Sequence, residues 1–199
     1  MDLLSNRAEK TARLVLLPSS TEDREKAPPG IYRLMALLTC GSVSALFASL
    51  VIAYYWRQAD GGFWQAIPLP SSLWISTGII LVSSVTYEVG RKAYARGERL
   101  MSTRLFLGTL MLGFGFLISQ TTAWLALFQE GGYFGASNPY SAFFYILTGF
   151  HAAHLAGGLV ALGLVYYRHN PRREFVDATA YYWHFLSGLW IALFVTLAT

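Results

Sequence analysis

Five stretches of this chain run for the thickness of a bilayer without an acidic or basic side chain, and that recurrence limits the fold more than any other feature. A hydrocarbon core of about 30 Å takes about 20 helical residues to cross. Residues 35–55 form the first such run. The second lies within 61–87 and starts near Ser72, after the turn at Pro68-Leu69-Pro70. Residues 105–129 form the third. The fourth lies within 131–167, opening near Tyr140 after Asn138-Pro139, and residues 178–199 form the fifth. Backbone polar groups in hydrocarbon must be satisfied inside each segment, so all five are expected to be helices. No strand-like alternation of useful length competes. The expectation is an all-α polytopic membrane protein, a five-transmembrane-helix bundle.

A content of 54% hydrophobic and 13% charged residues agrees with this class and not with a soluble domain. The single cysteine, Cys40, excludes a disulfide framework and reads as a small buried hydrophobe. Residues 1–30 are polar, without an apolar core before a cleavage site, so no cleavable signal is expected. They read as a cytoplasmic extension ahead of the bundle at 31–199, either with a short surface helix at residues 8–17 or, equally well, as a flexible tail ending at Pro28-Pro29-Gly30.

Charge placement sets the expected orientation. Arg7, Lys10, Arg13, Arg24, Lys26 and Arg33 precede the first span. Arg91, Lys92, Arg96, Arg99 and Arg104 separate the second and third, and Arg168, Arg172 and Arg173 separate the fourth and fifth. Only Arg57 falls on the other side, so the positive-inside rule puts the N-terminus in the cytoplasm and the C-terminus in the periplasm. The basic balance is therefore a topology signal, with some contact to anionic lipid and no support for nucleic-acid binding. Trp56, Phe63, Trp64 and Trp74 fall where an outer aromatic belt is expected.

The residues that could carry chemistry are few. His151 and His154 share one face of the fourth span, and His184 lies about two turns into the fifth. Imidazoles at bilayer depth invite a haem or metal reading. Two of the three, however, sit at i and i+3, too close in rise to hold opposite faces of one haem, and no metal-ligand motif accompanies them. His169 lies in a basic loop. Histidines bonded to neighbouring helices or lipid are the better-supported reading. A b-type membrane cytochrome using His184 with His151 or His154 remains the rival of another class, and a small transporter is disfavoured because no pair of broken spans marks a midplane site. Glu88 is the only carboxylate bordering a span interior, and Glu130 caps the third span. Ser83, Ser84, Thr86, Gln120, Thr121 and Thr122 suit interhelical hydrogen bonds, while Gly108, Gly113, Gly115, Gly149, Gly157 and Gly158 suit close helix approach.

Several motifs together carry a resemblance. Thr148-Gly149-Phe150-His151-Ala152-Ala153-His154 resembles the fourth-span signature of subunit III of the haem-copper oxidases, and Tyr182-Trp183-His184-Phe185-Leu186-Ser187-Gly188-Leu189-Trp190 its last span. Ser83-Ser84-Val85-Thr86 with Ala93-Tyr94-Ala95-Arg96-Gly97 is similar to its second span, and Phe116-Leu117-Ile118-Ser119-Gln120 with Trp124 to its third. The likeness covers residues 30–199 in order and matches the five-helix bacterial form of cytochrome c oxidase subunit 3. It implies an accessory subunit without haem, copper or catalytic residues. Such a subunit packs against catalytic subunit I and the other oxidase subunits, binds structural phospholipid, and supports oxygen reduction coupled to proton pumping. It implies the bacterial inner membrane, with a respiratory supercomplex as a further partner class. Gln120, Trp124, Gly149, Phe150, His151, His154, Gly158, Trp183, His184 and Trp190 are then packing and lipid-contact positions. Subunit III of a quinol oxidase and the accessory protein of nitric-oxide reductase share the architecture. The chain departs from the family at three carboxylates, where it has Val43, Ala123 and Ser187, so the resemblance carries over the scaffold and not a proton-collecting role.

Overall fold

The computed structural model describes residues 30–60, 64, 69–129, 138–168 and 170–199. The surface-helix candidate at 8–17, and Phe63, Glu130 and His169, lie outside the described residues. Five helices follow one another: α1 Ile31–Ala59, α2 Ser72–Ala95, α3 Arg99–Gln129, α4 Pro139–Tyr167 and α5 Arg173–Ala198. All five are long and apolar enough to cross a membrane, and no strand occurs among the described residues.

The helices outrun the charge-free stretches. α2 continues eight residues past Tyr87, α3 starts six before Leu105, and α5 starts five before Ala178. Charge-free windows mark hydrocarbon contact, whereas long Arg and Lys side chains let a helix continue into the head-group layer by reaching outward. What ends α2 is a left-handed glycine. Gly97 has φ +82°, its N–H donates to the Tyr94 carbonyl, and the Glu98 N–H donates to the Ala93 carbonyl. That pair of bonds is the Schellman motif, which closes the helix and turns the chain into α3 within three residues. α4 opens as its turn signal predicts: the Asn138 side chain accepts from the Tyr140 N–H at 3.2 Å and Pro139 occupies the first turn.

Between helices already in lipid there is no hydrophobic driving force, so close packing and hydrogen bonds hold the bundle. α2 and α3 approach most closely. A Cβ at Gly90 would sit 3.1 Å from both Leu105 and Phe106, Ser76 donates to Ser119 Oγ at 2.9 Å, and Ser83 donates to the Thr109 carbonyl at 3.3 Å. α5 packs against α2 and α4, and its indoles fill the centre. The aromatic hydroxyls and indole N–H groups then tie the ends together. Tyr87 donates to the Val176 carbonyl, and Tyr140 to the Leu197 carbonyl at 2.9 Å.

α1 is held differently. No Cα of α1 comes within 8 Å of another helix. It attaches through aromatic tips instead: Tyr32 meets Phe175 edge-on at 5.5 Å, Phe47 meets the His154 ring at 5.8 Å, and Tyr54 meets Trp64 at 5.0 Å and Phe143 at 5.7 Å.

Candidate functional site

Two groups of residues stand apart from ordinary helix packing. The first is an aromatic seam through α3, α4 and α5. Trp183 is fully buried with its benzo edge between two glycines of facing helices. A Cβ at Gly113 would lie 2.9 Å from Trp183 Cη2, and one at Gly158 would lie 3.3 Å from its Cζ3. The indole N–H of Trp183 donates to Ser83 Oγ at 3.3 Å, and that of Trp190 to Thr77 Oγ1 at 3.0 Å. Trp124 donates to Thr148 Oγ1 at 2.9 Å. His151 sits in this seam, 5.2 Å from the Trp190 ring and 5.8 Å from Phe116.

The second group is a charged cluster between α2 and α5. Arg91 donates to both oxygens of Glu88, at 2.7 and 2.8 Å, and through its other terminal nitrogen to Asp177 at 2.9 Å. Glu88 Oε2 lies 3.5 Å from His184 Nε2, whose Nδ1 shares a 2.6 Å hydrogen bond with Ser84 Oγ. Lys92 and Arg173 reach the two carboxylates from the flank, at 3.4 and 3.9 Å. Arg91 and Lys92, which the sequence reading places between spans two and three, are thus helical, and so is Asp177, just before the expected start of the fifth span. Glu88 is not alone at a span interior, because α5 starts early enough to include Asp177. Two carboxylates a helix apart around one arginine were the signal available, at i, i+3 for Glu88 and Arg91.

The predicted histidine contacts need correction. Neither ring nitrogen of the fully buried His151 has a hydrogen-bond partner among the described residues, so ring packing alone holds it. His154 donates from Nδ1 to the Phe150 carbonyl of its own helix at 2.7 Å, while Tyr182 of α5 donates to the His154 carbonyl. Among the described residues, only His184 of these three bonds a side chain of a neighbouring helix. The three imidazoles thus meet three different partners: His151 packs on Trp190, His154 on Phe47, and His184 bonds Ser84. No group of three His, Cys, Asp or Glu side chains placed to hold a metal occurs among the described residues.

Other polar expectations divide. Ser83 and Ser84 bond across helices, but Thr86, Thr121 and Thr122 bond back to carbonyls of their own helices. Gln120 is buried with neither amide atom bonded among the described residues. Gly113 and Gly158 are tightly opposed and Gly108 meets Thr86, whereas Gly115, Gly149 and Gly157 face open space. Phe150 points outward, half exposed, as do Trp56 and Trp74; Trp64 instead packs on Tyr54. Cys40 is only partly buried.

Outside the spans, Arg96 donates to Glu98 at 2.6 Å across the α2–α3 turn. The guanidinium holds the Glu98 carboxyl below the usual glutamate range and is itself raised.

Comparison with known proteins agrees with the order of these elements. The family model described as cytochrome c oxidase subunit III matches residues 35–199. Cytochrome c oxidase subunit 3 of Corynebacterium diphtheriae is 36% identical over 165 residues, covering 76% of this chain and 79% of the relative. The probable cytochrome c oxidase subunit 3 of Mycobacterium tuberculosis is 31% identical over 180 residues, covering 85% and 88%. The Anopheles gambiae subunit 3 is 30% identical over 160 residues, covering 77% of this chain and 58% of the relative.

Proposed function

Since this chain belongs to the cytochrome c oxidase subunit III family, we propose that it is the accessory subunit that packs on catalytic subunit I of a cytochrome c oxidase in a bacterial inner membrane. Its N-terminus lies in the cytoplasm and its C-terminus in the periplasm, following the basic residues that fall on alternate connections in the sequence. Haem and copper belong to partner subunits. This chain supplies a rigid face that stabilises the catalytic subunit and grooves that phospholipid fills.

The observation that carries the reading is how the intramembrane histidines are used. All three are taken up by ring packing or hydrogen bonds within the bundle, which leaves them as parts of a scaffold. The quinol-oxidase and nitric-oxide-reductase readings are not favoured, since the relatives found are named for cytochrome c oxidase. Purification of the intact assembly followed by separation of its subunits tests the proposal. Haem and copper are expected to stay wholly with other subunits, and a stoichiometric Soret band in this chain alone would remove the reading.

A further inference from the structure

Buried polar side chains in this bundle mostly find protein partners, and two at its centre do not. Gln120 of α3 is 1% exposed and His151 of α4 is fully buried, yet neither amide atom and neither ring nitrogen has a hydrogen bond among the described residues. Three buried hydroxyls share that state, Tyr54, Ser72 and Ser141, but each lies within five residues of a helix end. Gln120 lies nine residues from the end of α3, about 14 Å along the axis, and His151 twelve residues into α4, about 18 Å. Four unmet polar atoms at that depth are costly, because lipid tails offer them no partner.

The two residues stand at one level. A Cβ at Gly113 would meet Leu159, and the Tyr145 hydroxyl donates to the Trp124 carbonyl at 3.2 Å, so α3 and α4 pack antiparallel. Gln120 is seven residues past Gly113 and His151 eight before Leu159, a rise of about 11 and 12 Å. Gln120 also follows Phe116 by four positions on the same helical face, and the Phe116 ring lies 5.8 Å from that of His151. The polar groups around them are committed to one another. Trp124 donates to Thr148, which donates to the Phe144 carbonyl; Trp190 donates to Thr77; Ser76 donates to Ser119. Residues 105–129, 139–167 and 178–199 hold no Lys, Arg, Asp or Glu, so a neutral guest suits this level and an ion does not.

We propose that α3 and α4 hold an internal water between the Gln120 amide and one ring nitrogen of His151. Water brings two donors and two acceptors. It therefore serves an amide, which has an acceptor and two donors, and a neutral imidazole, which has one of each. The two ring nitrogens point apart, so a single water meets one and leaves the other bare. Replacing the ring with an apolar side chain removes that bare nitrogen together with the bridge. The water ties α3 to α4 at mid-depth through polar groups that otherwise contribute nothing to helix association.

Two measurements test it. In the first, a density map of the complete oxidase, sharp enough to show ordered water, is expected to hold a peak within about 3 Å of both the Gln120 amide and a His151 nitrogen. A direct bond between the two side chains, or such a map without a peak there, would overturn the site. In the second, the full chain carrying isotope-labelled histidine is followed in micelles by nuclear magnetic resonance, reading magnetisation passed from water to the ring C–H protons. Transfer to the buried His151 ring is expected, and its loss in Gln120→Met, while transfer to His184, 36% exposed, stays as it was. No transfer to His151 in the unsubstituted chain, or transfer that persists unchanged in Gln120→Met, would refute the bridge. The map needs no substitution, so a Gln120→Met chain that fails to fold leaves the site open to refutation.

Discussion

Substituting Gly113 with alanine tests whether the bundle centre is set by one indole. The new methyl would start 2.6 Å from Leu159 Cδ2 and 2.9 Å from Trp183 Cη2. Leu159 can swing its terminal carbon away at little cost. The indole cannot, because its N–H is tied to Ser83 and its other edge lies against Gly158. Forcing a methylene into such packing costs about 1–3 kcal/mol, roughly a 5- to 150-fold loss in the folded-to-unfolded ratio. Trp183→Phe deletes the ring carbons that the methyl strikes. The double variant is then expected to be more stable than the sum of the two single losses, by about 0.5–3 kcal/mol. Denaturation of the purified chain in mild micelles by added SDS, followed by near-ultraviolet circular dichroism, gives these differences. Gly41→Ala, in open space, is the reference. If Gly113→Ala matches that reference within about 0.5 kcal/mol, or if the two sites simply add, the packing argument is wrong.

Other expectations can be checked in the same material. His151→Leu removes two buried nitrogens without a partner among the described residues and is expected to raise the unfolding free energy by about 1 kcal/mol, whereas a ligand histidine would show a loss of bound chromophore. Arg91→Ala leaves Glu88 and Asp177 without their shared donor and should cost about 1–3 kcal/mol in that assay, with Arg91→Lys recovering only part because its donors lack the fork geometry. Tyr140→Phe frees the Leu197 carbonyl near the end of α5 and should cost about 0.6–1.7 kcal/mol, read also as faster amide exchange in that last turn. Glu98 titrates below the ordinary glutamate range, so its contribution is full above the unfolded value and fades as pH falls through the lower folded one. Glu98→Gln should flatten that acid limb of the midpoint, and an unchanged limb would show that the Arg96 contact does not matter.

Much of the fold was legible because bilayer physics offers a chain few options. The number of spans and the Asn138-Pro139 start of α4 both follow from local rules that packing did not override. The helix ends were less legible. Counting apolar residues stops at Tyr87 and starts at Ala178, and so leaves Arg91 and Asp177 outside segments in which they are helical and paired. The site suffered from the same error. Glu88 reads as solitary because Arg91 falls between the expected spans and Asp177 falls just before the expected start of the fifth. The histidine spacing could not show that His151 is held by Trp190 and Phe116 with no hydrogen bond among the described residues, since that depends on which residues three helices bring together.

The three-residue link between α2 and α3 also bears on how the chain is made. Two spans joined so briefly leave a ribosome with no interval in which the first can settle before the second emerges. Their tight glycine and serine contacts lie between consecutive spans, so each has its packing partner as soon as both are made. α1 meets Trp64 soon after its own end, but its other ring partners, Phe143, His154 and Phe175, stand on α4 and α5, so its contacts are completed last although its codons come first.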